Sequence, residues 1–177
     1  SFDKINFLYL IYLNQILIST FTVYLFYNLC KNFLDERFSL IGALIFSVFP
    51  FIIYSNGLIS SACLQLFFYL LFINLTLKIL TDEFNKKDLI FLTLTSALTL
   101  ILRGEFLIIF LFSLAFIIVL DKKKFVHSLL ILSFTVLLIS PYLIRNYINT
   151  GNIHLVNVTG YALWKGNNQL AKVEGFH

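Results

Sequence analysis

From Phe7 to Leu29 the chain carries no charged side chain. A run of about 20 apolar residues is what a helix needs to cross the hydrocarbon of a bilayer. Further apolar runs follow at residues 38–54, 58–80, 89–120 and 127–144, with few interruptions. Hydrophobic residues make up 59% of the chain and charged residues 12%. Soluble domains carry roughly 25% charged residues. A chain of this size cannot hide so much apolar surface against itself, so lipid is the expected solvent. The fold class expected is therefore all-α, a polytopic helical membrane protein.

The 89–120 run is too long for one crossing. At ~1.5 Å per residue it would make a helix of roughly 48 Å, against a hydrocarbon core of about 30 Å. Arg103-Gly104-Glu105 interrupts it, which predicts two short helices. About six spans follow, at 7–29, 38–54, 58–80, 89–102, 106–120 and 127–144, with Pro50 and Pro141 near the ends of the second and last. Residues 145–177 form a polar extracytoplasmic segment, the start of a loop, in which 152–158 alternates weakly like a short strand.

Charge sets the orientation expected. With the N-terminus outside, Lys31, Arg37, Lys78, Lys86, Lys87 and Lys122 to Lys124 fall on the inner side. Lys4, Arg103, Arg145, Lys165 and Lys172 fall outside, so the short inner loops hold eight of thirteen cations. Cationic loops stay on the cytoplasmic side. The expected location is a bacterial inner membrane, with both ends of the chain extracytoplasmic. The net charge of +4 is scattered and does not argue for nucleic acid. Cys30 and Cys63 read as small core residues. His127, His154 and His177 have no metal-ligand spacing. No metal or cofactor is expected.

Three places carry residues that chemistry could use. Arg103 and Glu105 sit in an apolar stretch, where a charge must be paired or wet. They read either as a phosphate-binding arginine with an orienting carboxylate or as a structural ion pair closing the turn. Arg145, Asn146 and Tyr147 follow Pro141, which was expected to loosen the helix end and release Arg145 at the outer surface. A guanidinium there suits a lipid-linked phosphate or serves as an interface anchor. The third place is Gly160 to Asn168, where Trp164 with Asn167 and Asn168 offers a ring face and hydrogen-bonding amides, suited to sugars or to an interfacial loop. Asn14 and Gln15 in the first span read as interhelical contacts.

The order Pro141, Arg145-Asn146-Tyr147, Gly151, Gly160, Trp164, Gly166-Asn167-Asn168 resembles the dolichyl-phosphate-mannose–protein mannosyltransferase-like family. Phe49-Pro50, Tyr54-Ser55 and Leu-Arg103-x-Glu105 stand where that family has similar residues. The resemblance implies a GT-C fold and a glycosyltransferase that takes sugar from a polyprenyl-phosphate donor. It implies donor-phosphate contacts at Arg145 and Arg103. It also implies substrate contacts at Glu105, Asn146, Tyr147, Trp164, Asn167 and Asn168. The family's catalytic carboxylate lies in an outer loop after an earlier membrane helix. The base is therefore expected upstream, and no residue of this chain takes that role. Membrane lipid and the lipid-linked sugar are the partners implied. A transporter or a non-catalytic scaffold would use the same spans, although no internal repeat is visible.

Overall fold

The computed structural model describes residues 2–58, 60–81, 85–153, 155 and 168, with side chains from residue 7 onward. Among these, all regular structure is helical. The elements are α1 (Phe2–Lys31), α2 (Glu36–Ser47), α3 (Pro50–Gly57), α4 (Ala62–Leu80), α5 (Lys86–Leu102), α6 (Phe106–Leu120), a 3-10 turn at Lys122–Lys124, and α7 (Phe125–Thr150). No strand occurs among the described residues. Most of 152–158 lies outside them.

Three segments are long and apolar enough to cross a membrane: Phe7–Lys31, Ala62–Leu80 and Lys122–Thr150. The α2–α3 pair, bent by 47°, makes a fourth if it counts as one span. The α5 and α6 helices have 17 and 15 residues. At ~1.5 Å per residue they are roughly 26 and 23 Å long, short of the ~30 Å hydrocarbon core. Length and composition thus support three or four crossings, and the six expected from the sequence are not reached on that measure.

The helices run back and forth between two ends. One end gathers Lys31, Arg37, Lys78, Lys86, Lys87 and the Lys122–Lys124 turn, and is called the basic end below. The opposite end holds the α3–α4 and α5–α6 turns and the close of α7. α1 packs chiefly on α4 and α2, and α7 chiefly on α5. Both α1–α4 and α5–α7 are parallel neighbours. The core lies among α4 to α7, around Phe72, Ile79, Leu92, Leu100, Phe106, Phe110, Ile117 and Ile131. α5 contributes small hydroxyl residues to it. Thr93, Ser96 and Thr99 are buried and donate to the carbonyls of Leu89, Leu92 and Thr95, four residues back.

Local chemistry fixes the helix ends. Asn85 and Asp88 form a reciprocal capping box at the start of α5. Asp88 also takes an ion pair from Lys78 at 3.4 Å. Lys124 Nζ donates to the carbonyls of Ile79 and Leu80, at 2.6 and 3.3 Å, which occupies acceptors that the end of α4 leaves open.

Pro50 divides the run expected as one span over 38–54 and begins a helix, at the first position of α3, where its missing N–H costs nothing. The Phe46 carbonyl, which Pro50 cannot serve, accepts from Phe49 N at 3.2 Å. Pro141 lies inside α7, which continues to Thr150. Its missing N–H deprives the Leu137 carbonyl, and Ser140 Oγ donates to that carbonyl at 2.7 Å. α7 ends instead at Gly151, whose φ of 72° is left-handed and whose N–H bonds the Tyr147 carbonyl at 2.8 Å.

Ser140→Ala should therefore destabilise the protein by about 1–3 kcal/mol in detergent, because it orphans a carbonyl in apolar surroundings. In a Pro141→Ala background, where an N–H returns, the same change should cost little. A double-mutant cycle on thermal unfolding reads the difference. Equal costs in both backgrounds would show that Ser140 does not serve that carbonyl.

Candidate site at the α4–α5–α6 junction

At the end opposite the basic end, the chain leaves α5 at Arg103, whose extended backbone (φ −147°, ψ 106°) breaks the helix. Arg103 N bonds the Thr99 carbonyl, and the carbonyls of Arg103 and Gly104 accept from Phe106 N and Leu107 N, both at 3.1 Å. A three-residue turn thus reverses the chain with the carbonyls of Arg103 and Gly104 engaged. Phe106 pins the turn to the bundle. It is 1% exposed, its ring stacks on Tyr69 at 5.2 Å, and it meets Phe72 edge-on at 4.9 Å.

That anchoring sets Glu105 beside α4. Gln65 Nε2 donates to Tyr69 Oη at 3.0 Å and to Glu105 Oε1 at 3.4 Å. Arg103 lies on the other side of the same carboxylate, Nη1 to Oε1 at 4.0 Å. The result is a chain of four polar side chains, Arg103, Glu105, Gln65 and Tyr69, at the rim of an apolar bundle. The side chains of Arg103 and Glu105 are 43% and 64% exposed. A long, wet ion pair of this kind contributes little to stability. Its groups remain open to a ligand: a guanidinium that can fork onto phosphate oxygens, a carboxylate that can accept from a hydroxyl, and a phenol.

The second group is not assembled in the way expected. Since α7 continues past Pro141, Arg145, Asn146 and Tyr147 are successive residues of a helix rather than a released segment. Successive helical residues point about 100° apart, so the three do not converge on one ligand. Arg145 and Tyr147 are exposed and Asn146 is half-buried. Within α7, Tyr142 Oη donates at 3.1 Å to the carbonyl of Leu155, which lies past the helix end. Asn168 is half-buried, whereas Trp164 and Asn167 lie outside the described residues.

Of the predicted contacts, the structure brings Arg103 and Glu105 together, and it adds two that the sequence reading passed over, Gln65 and Tyr69. Their signal was an amide and a phenol four residues apart in an apolar run, hence on one helix face. In the first span, Gln15 does bridge helices, Nε2 to the Leu58 carbonyl at 2.8 Å. Asn14 does not; it bonds the Leu10 carbonyl in its own helix. Among the described residues no three His, Cys, Asp or Glu side chains gather in a way that could hold a metal ion.

No protein family, curated protein or solved structure matches this chain.

An Arg103→Ala, Glu105→Ala double-mutant cycle on unfolding should return a coupling of about 0–1 kcal/mol. A coupling well above that would make the pair a structural clasp rather than an open site.

Proposed function

We propose that this chain belongs to a membrane glycosyltransferase that moves a sugar from a polyprenyl-phosphate donor to a lipid, glycan or protein acceptor at the outer membrane face. The observation that carries the reading is the polar rim of Arg103, Glu105, Gln65 and Tyr69 at the end opposite the basic end. Its arginine suits a lipid-linked phosphate and its carboxylate suits a sugar hydroxyl. The sequence resemblance to the mannosyltransferase-like family points to the same chemistry. In this reading the architecture is GT-C-like, with six passages through the membrane. Two of them, α5 and α6, are short and meet at the outer turn. The basic end is cytoplasmic, which puts the rim, the N-terminus and residues 145–177 outside.

The chemistry follows from where charge develops. As the sugar leaves, negative charge builds on the donor phosphate. A fixed guanidinium stabilises it more in the transition state than in the ground state. Arg103 takes that role, with Arg145 as a second cation at the same end. Glu105, held by Gln65, orients a hydroxyl. Asn146, Tyr147, Trp164, Asn167 and Asn168 are assigned to the sugar or acceptor. No residue of this chain is assigned as the base.

In the whole enzyme, Arg103→Ala should cut transfer from a polyprenyl-phosphate sugar on the order of 30- to 1,000-fold, as losing one oxyanion donor costs ~2–4 kcal/mol. Arg145→Ala should act in the same direction. Lysine should rescue each only in part, because it brings charge without the fork. Initial rates at matched expression decide the matter: near-normal rates for both alanine variants remove the phosphate role. For the orientation, a cysteine placed at Gly57, where nothing lies within 4 Å of an added Cβ, should react with an impermeant thiol reagent from outside. A cysteine at Lys123 should not, and the reverse pattern would invert the topology.

A further inference from the structure

The bend between α2 and α3 opens a cleft in the side of the bundle. α2 packs on α1 and touches α3, but it makes no contact with α4 among the described residues. α3 packs on both α1 and α4. The space bounded by α1, α2, α3 and α4 is an open cleft. It measures about 490 Å³. Two further lateral grooves, between α4 and α6 and between α5 and α7, measure about 220 and 250 Å³. The lining is wholly apolar. Phe26 and Phe46, stacked at 4.1 Å, make one wall. Leu66 and the buried Ile52 form the floor, and Ile45 stands at the rim.

Ile45 also belongs to a stripe on α2. Arg37, Ile41 and Ile45 are spaced i, i+4, i+8, so they line one face, and all three are exposed. The eight steps from Arg37 to Ile45 rise roughly 12 Å. Arg37 makes no ion pair among the described residues. Its neighbour Glu36, about 100° around the helix, accepts from Tyr27 Oη at 3.3 Å instead. A cation thus stands at the basic end of a stripe that leads up to an apolar cleft.

We infer that this cleft holds one acyl chain of an anionic glycerophospholipid, with the phosphate on Arg37. The inference rests on the membrane placement proposed above. Hydrocarbon fills the cleft because nothing in it can hydrogen-bond water. The headgroup preference comes from the Arg37 guanidinium, which forks onto phosphate oxygens. This lipid is distinct from the sugar donor, which would bind at the opposite end.

The test uses the whole protein, reconstituted in vesicles of equal parts phosphatidylglycerol and phosphatidylcholine, extracted in mild detergent, and weighed by native mass spectrometry. Wild type should retain one lipid per chain, with phosphatidylglycerol favoured about fivefold, the preference that one basic residue near the surface confers. Leu66→Trp, which fills the floor, should abolish retention. Should that variant fail to fold, Ile45→Trp at the exposed rim takes its place. Arg37→Gln should keep a lipid but lose the preference. Ile108→Trp, on the exposed face of α6, should change neither. Retention that survives the cleft-filling change in folded protein, or that shows no headgroup preference in wild type, would overturn the inference. Alkaline carbonate extraction of the wild type separates the two levels. Release from the membrane sinks the membrane placement itself, whereas firm insertion without a retained lipid sinks only the cleft.

Discussion

In apolar surroundings a main-chain polar group freed by a helix break has no water to turn to, and this fold depends on answering that demand from within. Each interruption is met by a nearby donor. Ser140 takes the carbonyl that Pro141 abandons, and Phe49 takes the one that Pro50 abandons. The α5–α6 turn bonds its own carbonyls, and Lys124 reaches across from the start of α7 to the last turn of α4. Pro50 and Pro141 therefore persist inside apolar runs, where an unsatisfied group in hydrocarbon would cost several kcal/mol.

α4 is the element through which these solutions communicate. On one side Asn74 donates to the Leu25 carbonyl of α1, and Cys63 donates to the Gln15 carbonyl. On the other, Tyr69 and Phe72 receive the ring of Phe106. At its far end it accepts Lys124. The candidate site is consequently not built on a loose loop. Glu105 is held by Gln65 of α4, and the turn that carries Glu105 is anchored by a ring buried against the same helix.

Much of the helical plan was legible because apolar runs and charged breaks are strong signals. The residues 103–105 interrupt a run too long for one crossing, and the structure turns there. Pro141 was misread because the rule that proline ends a helix considers only the lost N–H. The hydroxyl immediately before it, at Ser140, supplies the replacement, and the stop signal was Gly151, ten residues on. The same error moved Arg145, Asn146 and Tyr147 from a released segment, where they might have converged, onto a helix that spreads them apart. Pro50 lies inside a run read as one span over 38–54, and hydropathy alone does not reveal that a new helix begins there at a bend. Gln65 escaped notice because a lone amide in an apolar run declares a partner without saying which. Its carboxylate partner stands 40 residues away, in the α5–α6 turn.

The parallel pairing of α1 with α4 bears on how the chain assembles in time. During synthesis α1 leaves the ribosome well before α4, and the α1–α2 hairpin can close first. Gln15, near the middle of α1, donates to a carbonyl 43 residues further along. Until the α3–α4 turn emerges, that amide sits in an early intermediate without its native acceptor, and the nascent α1 keeps a polar spot on its flank. The first half of the chain is thus left incomplete in a specific way, with one donor waiting. The close of α3 at Leu58 relieves that amide, and α4 then packs on the same helix through Asn74 and Cys63.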